Sequence, residues 1–384
     1  MVYFRPGSHV RRLVTILAVT GEIPVKALAL LGGQRVYRAL VTRLCEEQTL
    51  VNSETGERLT CRLLTLHGKG GKKSIRFYKA GLPVLNWIGA YDSYMRAFWN
   101  HNFPSDDSHV ERNFRLAEAV ILCMRAGVEI RPWQMRVLQK QSLERQVFSR
   151  PALYSAKAAK NTQEGDLCKT QYARFIAALF TSDHAYVLYN VRNAVMKWNG
   201  MSECKTVESI AQLARMNSTV PSVDSAIIFG KTEDVAIRTI EDLRKKRRME
   251  LRLDAVYRHI YFVPLSEGGL DQLQLLLLPD WNERMLAVFF NSAERSFNQG
   301  AFEYDAVVDD AHIFVFLDGD IARLNRFAGA VRDGQKRCEL LCFPFQVSLV
   351  KRVLGDAVDI KVIAPSVILN SLGAGKEDGL ESQA

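Results

Sequence analysis

The stretch "HGKGGKKSIRFY", His67 to Tyr78, decides how the N-terminal part of this chain folds. Three glycines and three lysines lie between Gly68 and Ser74. Such a segment is either a loop that cradles a nucleotide phosphate or the basic tip of a β-hairpin that contacts nucleic acid. The flanking residues distinguish these two kinds of site.

The nucleotide-loop interpretation fails on both spacing and context. A phosphate-binding loop has glycine, four other residues and then Gly-Lys-Ser/Thr, and it opens a helix. Counted from Gly68, the second glycine position is occupied by Lys73. The segments on both sides, 50–66 and 74–78, are rich in Leu, Ile, Phe and Tyr and predict strands. The stretch therefore predicts a hairpin tip, of the kind that serves as the wing of a winged helix-turn-helix.

Three short helices are predicted before this hairpin. The first begins at an N-cap, Ser8, and ends at Gly21, and the second runs from Pro24 to Gly32. The third lies within residues 33–51, and its predicted apolar stripe is Val36, Leu40 and Leu44. Its arginines are largely off that stripe. Helices of this size, with a short turn between the second and third, predict a helix-turn-helix.

We expect the third helix to enter the major groove of DNA and the hairpin lysines to neutralise phosphates. Residues 62–79 contain six Lys and Arg residues and no acidic residue, which favours an anionic partner. The alternative is a solvated hairpin above an ordinary helical bundle. The predicted DNA-contacting residues are Gln34, Arg35, Arg38, Arg43, Arg62, Lys69, Lys72, Lys73 and Arg76.

Composition sets wider limits on the class of protein. The chain has 384 residues, enough for two or three domains, and its net charge of +9 suits an anionic partner. It has no apolar run long enough to span a membrane and no signal-peptide pattern, so we expect a cytoplasmic protein without a membrane partner. The seven cysteines are scattered, and only Cys338 and Cys342 are closely spaced. This pattern argues against a disulfide framework or a zinc ribbon.

The rest of the chain predicts a helical connector and then an α/β domain. Residues 78–103 are rich in aromatic residues at helical spacing, which indicates a core or a dimer interface. From about residue 223 strands alternate with helices, which predicts a mainly parallel sheet. We interpret the basic run at 245–248 as the solvated end of a helix. The predicted domains are residues 1–80 (winged helix-turn-helix), 81–150 (connector), 151–370 (α/β) and 371–384 (disordered tail).

The order of these segments resembles the replication-relaxation family. The resemblance is carried by the winged part, "YKAGLPVL", "HVERNFRLAEAVILCMRAGVEIRP", "TQYARFIAALF", "YVLYNVRNAVMKW" and "SECK". It implies a DNA-binding accessory protein of bacterial plasmids and conjugative elements, with a second half that resembles the restriction-endonuclease-like α/β core. Such a core requires a carboxylate on one strand and Glu-x-Lys on the next to hold Mg²⁺.

Catalysis has weak support in the sequence. Glu203 and Lys205 form a Glu-x-Lys pair, but the preceding strand segments contain no carboxylate, and Glu203 opens a predicted helix. The histidines are dispersed without metal-ligand spacing. A second group of acids near a strand end has no fixed geometry: Asp305, Asp309, Asp310, Asp318 and Asp320. We therefore expect no resident metal or cofactor.

The function favoured by the sequence is binding of double-stranded DNA in the replication, relaxation or transfer of a mobile element. A homodimer or another replication or transfer protein is the expected protein partner of the α/β domain. Two alternatives remain: a winged-helix transcriptional regulator, and a Mg²⁺-dependent nuclease with a degenerate core in which Glu203 and Lys205 act.

Overall fold

The chain forms two compact units in the computed structural model. The model describes residues 1–103, 107–130, 150–157, 174–195, 200–217, 220, 223–245, 252–296, 303–333 and 337–373. The first unit comprises Met1–Ser142, Ala152–Gln163 and Ile176–Ala178, and the second comprises Leu143–Pro151, Glu164–Phe175 and Leu179–Ala384. Residues 246–248 of the basic run and the tail from residue 374 onward lie outside the described residues.

The first helix, α1 (His9–Thr20), begins and ends where its sequence predicts. The Ser8 hydroxyl accepts a hydrogen bond from the backbone N–H of Arg11 (3.3 Å), which satisfies one of the unpaired donors of the first turn. The helix ends at Gly21, whose φ is +74°. A Cβ at Gly21 would lie 2.4 Å from the ring of Phe98, so only glycine fits this position.

A helix-turn-helix follows α1. Strand β1 (Val2–Phe4) lies before α1 in the chain. After α1, strand β2 (Ile23–Pro24) leads directly into a 3₁₀ segment, Val25–Leu31. Helix α2 spans Gln34–Leu44. Gly32 joins the two helical segments in the left-handed region, with φ +84°. The predicted second and third helices are therefore present, the second in 3₁₀ form.

Two antiparallel hairpins follow α2, where the sequence predicted one. The first pairs β3 (Gln48–Asn52) with β4 (Arg58–Cys61), and β1 adds to β3 in parallel. The second pairs β5 (Leu64–His67) with β6 (Ser74–Phe77), and β2 pairs with the other edge of β6. The segment predicted as one long strand is split at Asn52, whose side-chain Oδ1 accepts the N–H of Glu54 (3.0 Å) and starts a turn.

The remainder of the first unit is helical and rich in aromatic residues. A 3₁₀ segment, Lys79–Ile88, leads to α3 (Tyr91–Ala97), and α4 (Asp107–Arg125) packs against α1. Two short parallel strands, β7 (Glu129–Ile130) and β8 (Ala152–Ser155), also belong to this unit. Within the aromatic segment Leu85, Tyr94 and Phe98 are buried, whereas Trp99 is exposed. The described part of the predicted connector, up to residue 130, thus lies in the same compact unit as the winged part.

The second unit contains parallel strands joined by helices, which confirms the predicted α/β class. After β9 (Ala177–Phe180), the strands β10 (Ala185–Arg192), β11 (Ser225–Gly230) and β12 (His259–Pro264) run parallel to one another. Helices α5 (Gly200–Asn217) and α6 (Glu233–Leu243) connect them. Every residue of β11 is buried, as expected for a central strand of a parallel sheet.

A second sheet follows two further helices, α7 (Glu267–Leu276) and α8 (Trp281–Phe289). Strand β13 (Ala306–Val308) is antiparallel to β14 (Ala311–Val315), and β14, β15 (Cys338–Cys342) and β16 (Asp359–Val362) are parallel. The connecting helices are α9 (Ile321–Asp333) and α10 (Val347–Leu354), and α11 (Pro365–Ser371) follows β16. The mainly parallel arrangement predicted for this region is confirmed.

Candidate nucleic-acid interface

Helix α2 has one buried face and one exposed face. Tyr37, Val41 and Leu44 are buried in the first unit, and the Tyr37 hydroxyl lies 3.0 Å from Nδ1 of His9. No Asp or Glu occurs in this helix. Its exposed side chains recur at spacings of three and four residues and so share one side of the helix: they are Arg35, Val36, Arg38, Ala39, Thr42 and Arg43.

The predicted apolar stripe of α2 was wrong at Val36, which is 52% exposed. Successive helix residues are about 100° apart, so the inward position of Tyr37 turns Val36 outward. Leu40 is half-buried and Leu44 is fully buried. The exposed surface of α2 therefore combines arginines, which suit guanine, with apolar groups of Val36 and Ala39, which suit the thymine methyl.

The two other α2 residues that were predicted to contact DNA, Gln34 and Arg43, differ in burial and in hydrogen bonding. Gln34 is the first residue of the helix and is half-buried. The Arg43 Nη2 donates to the carbonyl oxygen of Met1 (2.8 Å), which ties the last turn of α2 to the N-terminus of the chain. Gln34 and Arg43 lie on or beside the exposed face. Arg35 lies at the centre of that face and Arg38 lies at one edge of it.

The lysine-rich tip closes the β5–β6 hairpin, as predicted. His67 is paired with Ser74 at the end of the ladder. Gly68 has φ +74°, and a Cβ there would lie 2.5 Å from the carbonyl oxygen of Lys72, so the tight turn requires glycine. Lys69 and Lys73 are exposed on this tip. Their ammonium groups project from a turn that the strand pairing holds in place.

Lys72 is exposed as well, but it has an acidic partner. Its Nζ lies 2.7 Å from the carboxylate of Asp107, the first residue of α4. The two side chains are 65% and 74% exposed. An ion pair that is this exposed contributes about 0–1 kcal/mol, so a phosphate competes with Asp107 at little cost.

Arg76 has a structural role in place of the DNA contact that the sequence predicted. Its Nε and Nη2 donate to Oε2 of Glu22 (3.0 and 2.9 Å), and its guanidinium lies over the ring of Phe103. Glu22 is buried and also accepts from Ser74 Oγ and Asn113 Nδ2. The cluster joins the end of α1, strand β6 and helix α4, so we omit Arg76 from the interface.

Arg62 lies beside the same hairpin but is exposed. Its Nε donates to the carbonyl oxygen of Leu64 (3.1 Å), and its guanidinium lies 5.0 Å from the centre of the Tyr78 ring. These contacts hold the planar guanidinium in one orientation at the base of β5. A held, exposed guanidinium is suited to a phosphate contact.

One basic residue of this surface was missed from the sequence. Lys26 is exposed in the 3₁₀ segment, and its Nζ lies 3.9 Å from the position that a Cβ at Gly71 would occupy. Its ammonium group is therefore beside the hairpin tip, although 45 positions separate the two residues (71 − 26). The hairpin folds back onto this segment through the β2–β6 pairing, which sequence spacing does not reveal.

Glu203, the weak catalytic candidate, is fully buried in the second unit. Its Oε1 accepts the backbone N–H of Arg174 and its Oε2 accepts the hydroxyl of Tyr189, each at 2.8 Å. The Tyr189 hydroxyl lies 2.8 Å from that of Tyr257, and burial raises the pKa of both phenols. Lys205 is half-buried two residues further along α5. This carboxylate is occupied by hydrogen-bond donors of the protein itself.

The aspartates noted near β14 divide into two groups. Asp309 and Asp310 are exposed in the turn between β13 and β14. Asp305, Asp318 and Asp320 are buried around the side chain of Arg323, which donates to Asp305 at 2.6 Å and lies 3.7 Å from Asp318. Within the part of the chain that the structure describes, no group of three His, Cys, Asp or Glu residues is arranged to hold a metal ion.

Comparison of the chain with family models, curated proteins and solved structures gives no match. Among the described residues, no helix has the length and apolarity needed to cross a bilayer. The candidate interface is therefore defined by its own geometry. It is the exposed face of α2 together with the basic hairpin tip and its neighbours Lys26 and Arg62.

Proposed function

We propose that the first unit binds double-stranded DNA, with α2 in the major groove and the β5–β6 hairpin on the phosphate backbone. The observation that carries this proposal is the exposed face of α2. It presents Arg35 and Arg38 with small or apolar neighbours and without any carboxylate along the helix. A helix that enters a major groove needs donors for base edges and no acidic group that would repel phosphates.

The hairpin supplies the second half of the contact. Lys69, Lys72 and Lys73 are exposed at its tip, and Lys26 lies beside it. Lysines on an exposed hairpin tip neutralise phosphates without reading sequence, whereas the arginines of α2 are placed to read base edges. The two elements thus divide affinity and specificity between them.

The biological setting that we propose follows the resemblance to the replication-relaxation family. In that setting the protein is a cytoplasmic accessory factor in the replication, relaxation or transfer of a plasmid or conjugative element. The second unit then provides the surface for a second copy of the chain or for another replication or transfer protein. The position of Glu203 in a buried hydrogen-bond network gives no support to the nuclease alternative.

The test is fluorescence anisotropy with labelled duplex DNA across a salt series, using a random duplex and the DNA upstream of the protein's own coding sequence. With Lys26, Arg62, Lys69, Lys72 and Lys73 on phosphates, log K against log [salt] should have a slope of about −4.5, or −0.9 for each contact. Preference for the upstream DNA would favour a regulator or an origin-binding factor. Absence of binding at low salt would refute the proposal.

A further inference from the structure

The second sheet of the second unit ends in a strand with an open edge. Its strand order is β13, β14, β15, β16, so β16 (Asp359–Val362) is paired with β15 alone among the described residues. The opposite edge is partly covered, because Val307 of β13 donates its N–H to the carbonyl oxygen of Glu294 (2.9 Å). An open edge presents N–H and C=O groups with which a further strand can pair. The outer side of β16 is therefore a surface for strand addition.

The backbone groups at this edge belong to Ile360 and Val362. The N–H of Ile363, directly after β16, donates to the carbonyl oxygen of Cys342 on β15 (2.9 Å). Successive residues of a strand direct their N–H and C=O groups to alternate sides, so the even-numbered residues Ile360 and Val362 direct theirs away from β15. Val362 is 52% exposed, and Val367 in the following helix α11 is 54% exposed. The edge thus combines available hydrogen-bonding groups with exposed apolar side chains.

The side chains of β16 are complementary to a second β16 that runs in the opposite direction. When Ile360 lies opposite Ile360 of another copy, each Asp359 lies opposite a Lys361 and each Val362 lies opposite a Val358. Asp359 and Lys361 are both exposed. Opposite charges directly across an antiparallel pair attract, and apolar side chains in the same relation pack together. This register therefore matches the side chains at every position from 358 to 362.

The neighbouring registers match less well. Pairing about Lys361 would place two ammonium groups directly opposite each other, and like charges in that relation repel. Pairing about Val362 would place Lys361 opposite the apolar Ile363. Pairing about Ile360 also suits the backbone, because its outward N–H and C=O groups form the hydrogen-bonded pair. The charged residues then occupy the non-hydrogen-bonded positions, where facing side chains are closest.

Lys361 has a partner within its own sheet that it can leave. Its Nζ lies 2.5 Å from Oε2 of Glu339, and Oε1 of Glu339 accepts from Arg337 Nη2 (2.8 Å). Glu339 is buried and needs a cation, which Arg337 supplies when Lys361 turns toward Asp359 of another copy. A lysine on an edge strand ordinarily opposes pairing. Here a carboxylate two positions earlier makes the same lysine specific for one register.

We propose that the second unit forms a symmetric dimer in which two β16 strands pair antiparallel about Ile360 and join two four-stranded sheets into one. The partner is a second copy of this chain, because the edge is complementary to itself and two-fold pairing is the commonest association of identical chains. The proposal rests on the proposed function in one respect: of the two kinds of partner assigned there to the second unit, it selects the second copy.

The test is sedimentation equilibrium of the full-length protein without DNA, across a range of protein concentrations. We expect the wild-type protein to show a monomer–dimer equilibrium. Asp359→Lys and Lys361→Asp each replace opposite-charge pairs by like-charge pairs on both sides of the two-fold axis, so each should weaken dimerisation roughly tenfold or more. The double variant D359K/K361D exchanges the charges and restores the pairs, so its affinity should return to nearly that of the wild type.

Control variants separate pairing from net charge. Glu241→Lys and Lys231→Asp make the same charge changes at exposed positions outside β16 and should leave dimerisation unchanged. Val362→Pro removes an outward N–H without removing a hydrogen bond to β15, so it should weaken dimerisation at an unchanged melting temperature.

Three results would overturn the proposal. They are a wild-type protein that is monomeric at every concentration, single β16 variants that dimerise like the wild type, and a folded double variant that does not recover. Because the assay contains no DNA, its outcome is independent of the salt-series test of the first unit.

Discussion

Replacement of Lys69, Lys72 and Lys73 by alanine tests the hairpin as a DNA contact. If each ammonium group neutralises one phosphate, counterion release makes the slope of log K against log [salt] less negative by about 0.9 per contact, or about 2.7 for all three. At about 0.1 M salt each contact then contributes roughly eightfold, so affinity for a random duplex should fall by up to about 500-fold. Lys72 must first leave Asp107, and if it makes no net contribution the expected fall is about 60-fold.

The assay is anisotropy of a labelled random duplex between about 50 and 300 mM salt, where the slope is well defined. All three lysines are exposed, so the variant should keep its fold and its melting temperature. The control replaces Lys231, Lys245 and Lys351 of the second unit, which are also exposed, and changes the net charge by the same amount. An unchanged slope in the hairpin variant, or an equal change in the control, would refute the reasoning.

Three further predictions concern α2, the first-unit core and the second-unit acids. Arg38→Ala should reduce discrimination at one base pair by about 1–3 kcal/mol, with little change for random DNA; equal losses on all single-base variants of the site would contradict base reading. Glu22→Ala leaves the Arg76 guanidinium without its buried carboxylate and should lower the free energy of unfolding in urea by about 3–5 kcal/mol. The control Glu54→Ala removes an exposed partner and should lower it by less than about 1 kcal/mol. Equal losses in the two variants would contradict the structural role of Glu22. Burial raises the pKa of Asp318 to about 7, so the folded protein holds a proton that the unfolded chain releases near its ordinary, lower pKa. The contribution of the Asp318 carboxyl to stability should therefore fall as pH rises above the ordinary carboxyl pKa of about 4. Asp318→Asn should flatten this part of the curve while the exposed Asp310→Asn does not, and identical profiles would exclude the assignment.

Local signals in the sequence were sufficient for the elements that depend on near neighbours. The capping of α1 by Ser8, its end at Gly21 and the glycine-lysine hairpin all follow from residues within a few positions of one another. The parallel α/β character of the second unit follows from strands and helices that alternate along the chain. These features are set by backbone conformation and hydrophobic periodicity, which act over short sequence distances.

Local sequence patterns gave wrong or incomplete predictions where a residue distant in sequence determines whether a side chain is buried, paired or exposed. The predicted apolar stripe of α2 was wrong at Val36, because Tyr37 packs inward in its place and meets His9, whereas Leu44 is buried as predicted. Arg76 was counted with the hairpin lysines, because nothing near it in sequence indicates the buried Glu22. Lys26 was omitted for the converse reason: its neighbour at the hairpin tip is remote in sequence.

By itself, the sequence determined the N-terminal helical segments, the basic hairpin that follows them and the later α/β region of this protein. Helix caps, turn glycines and strand periodicity depend on residues close together in the sequence, so they specify local structure independently of the tertiary packing. Only the tertiary structure decided which cations are available to an anionic partner. A guanidinium such as that of Arg76 is neutralised by a carboxylate 54 positions away (76 − 22), and an open sheet edge such as that of β16 exists only once separate segments have paired.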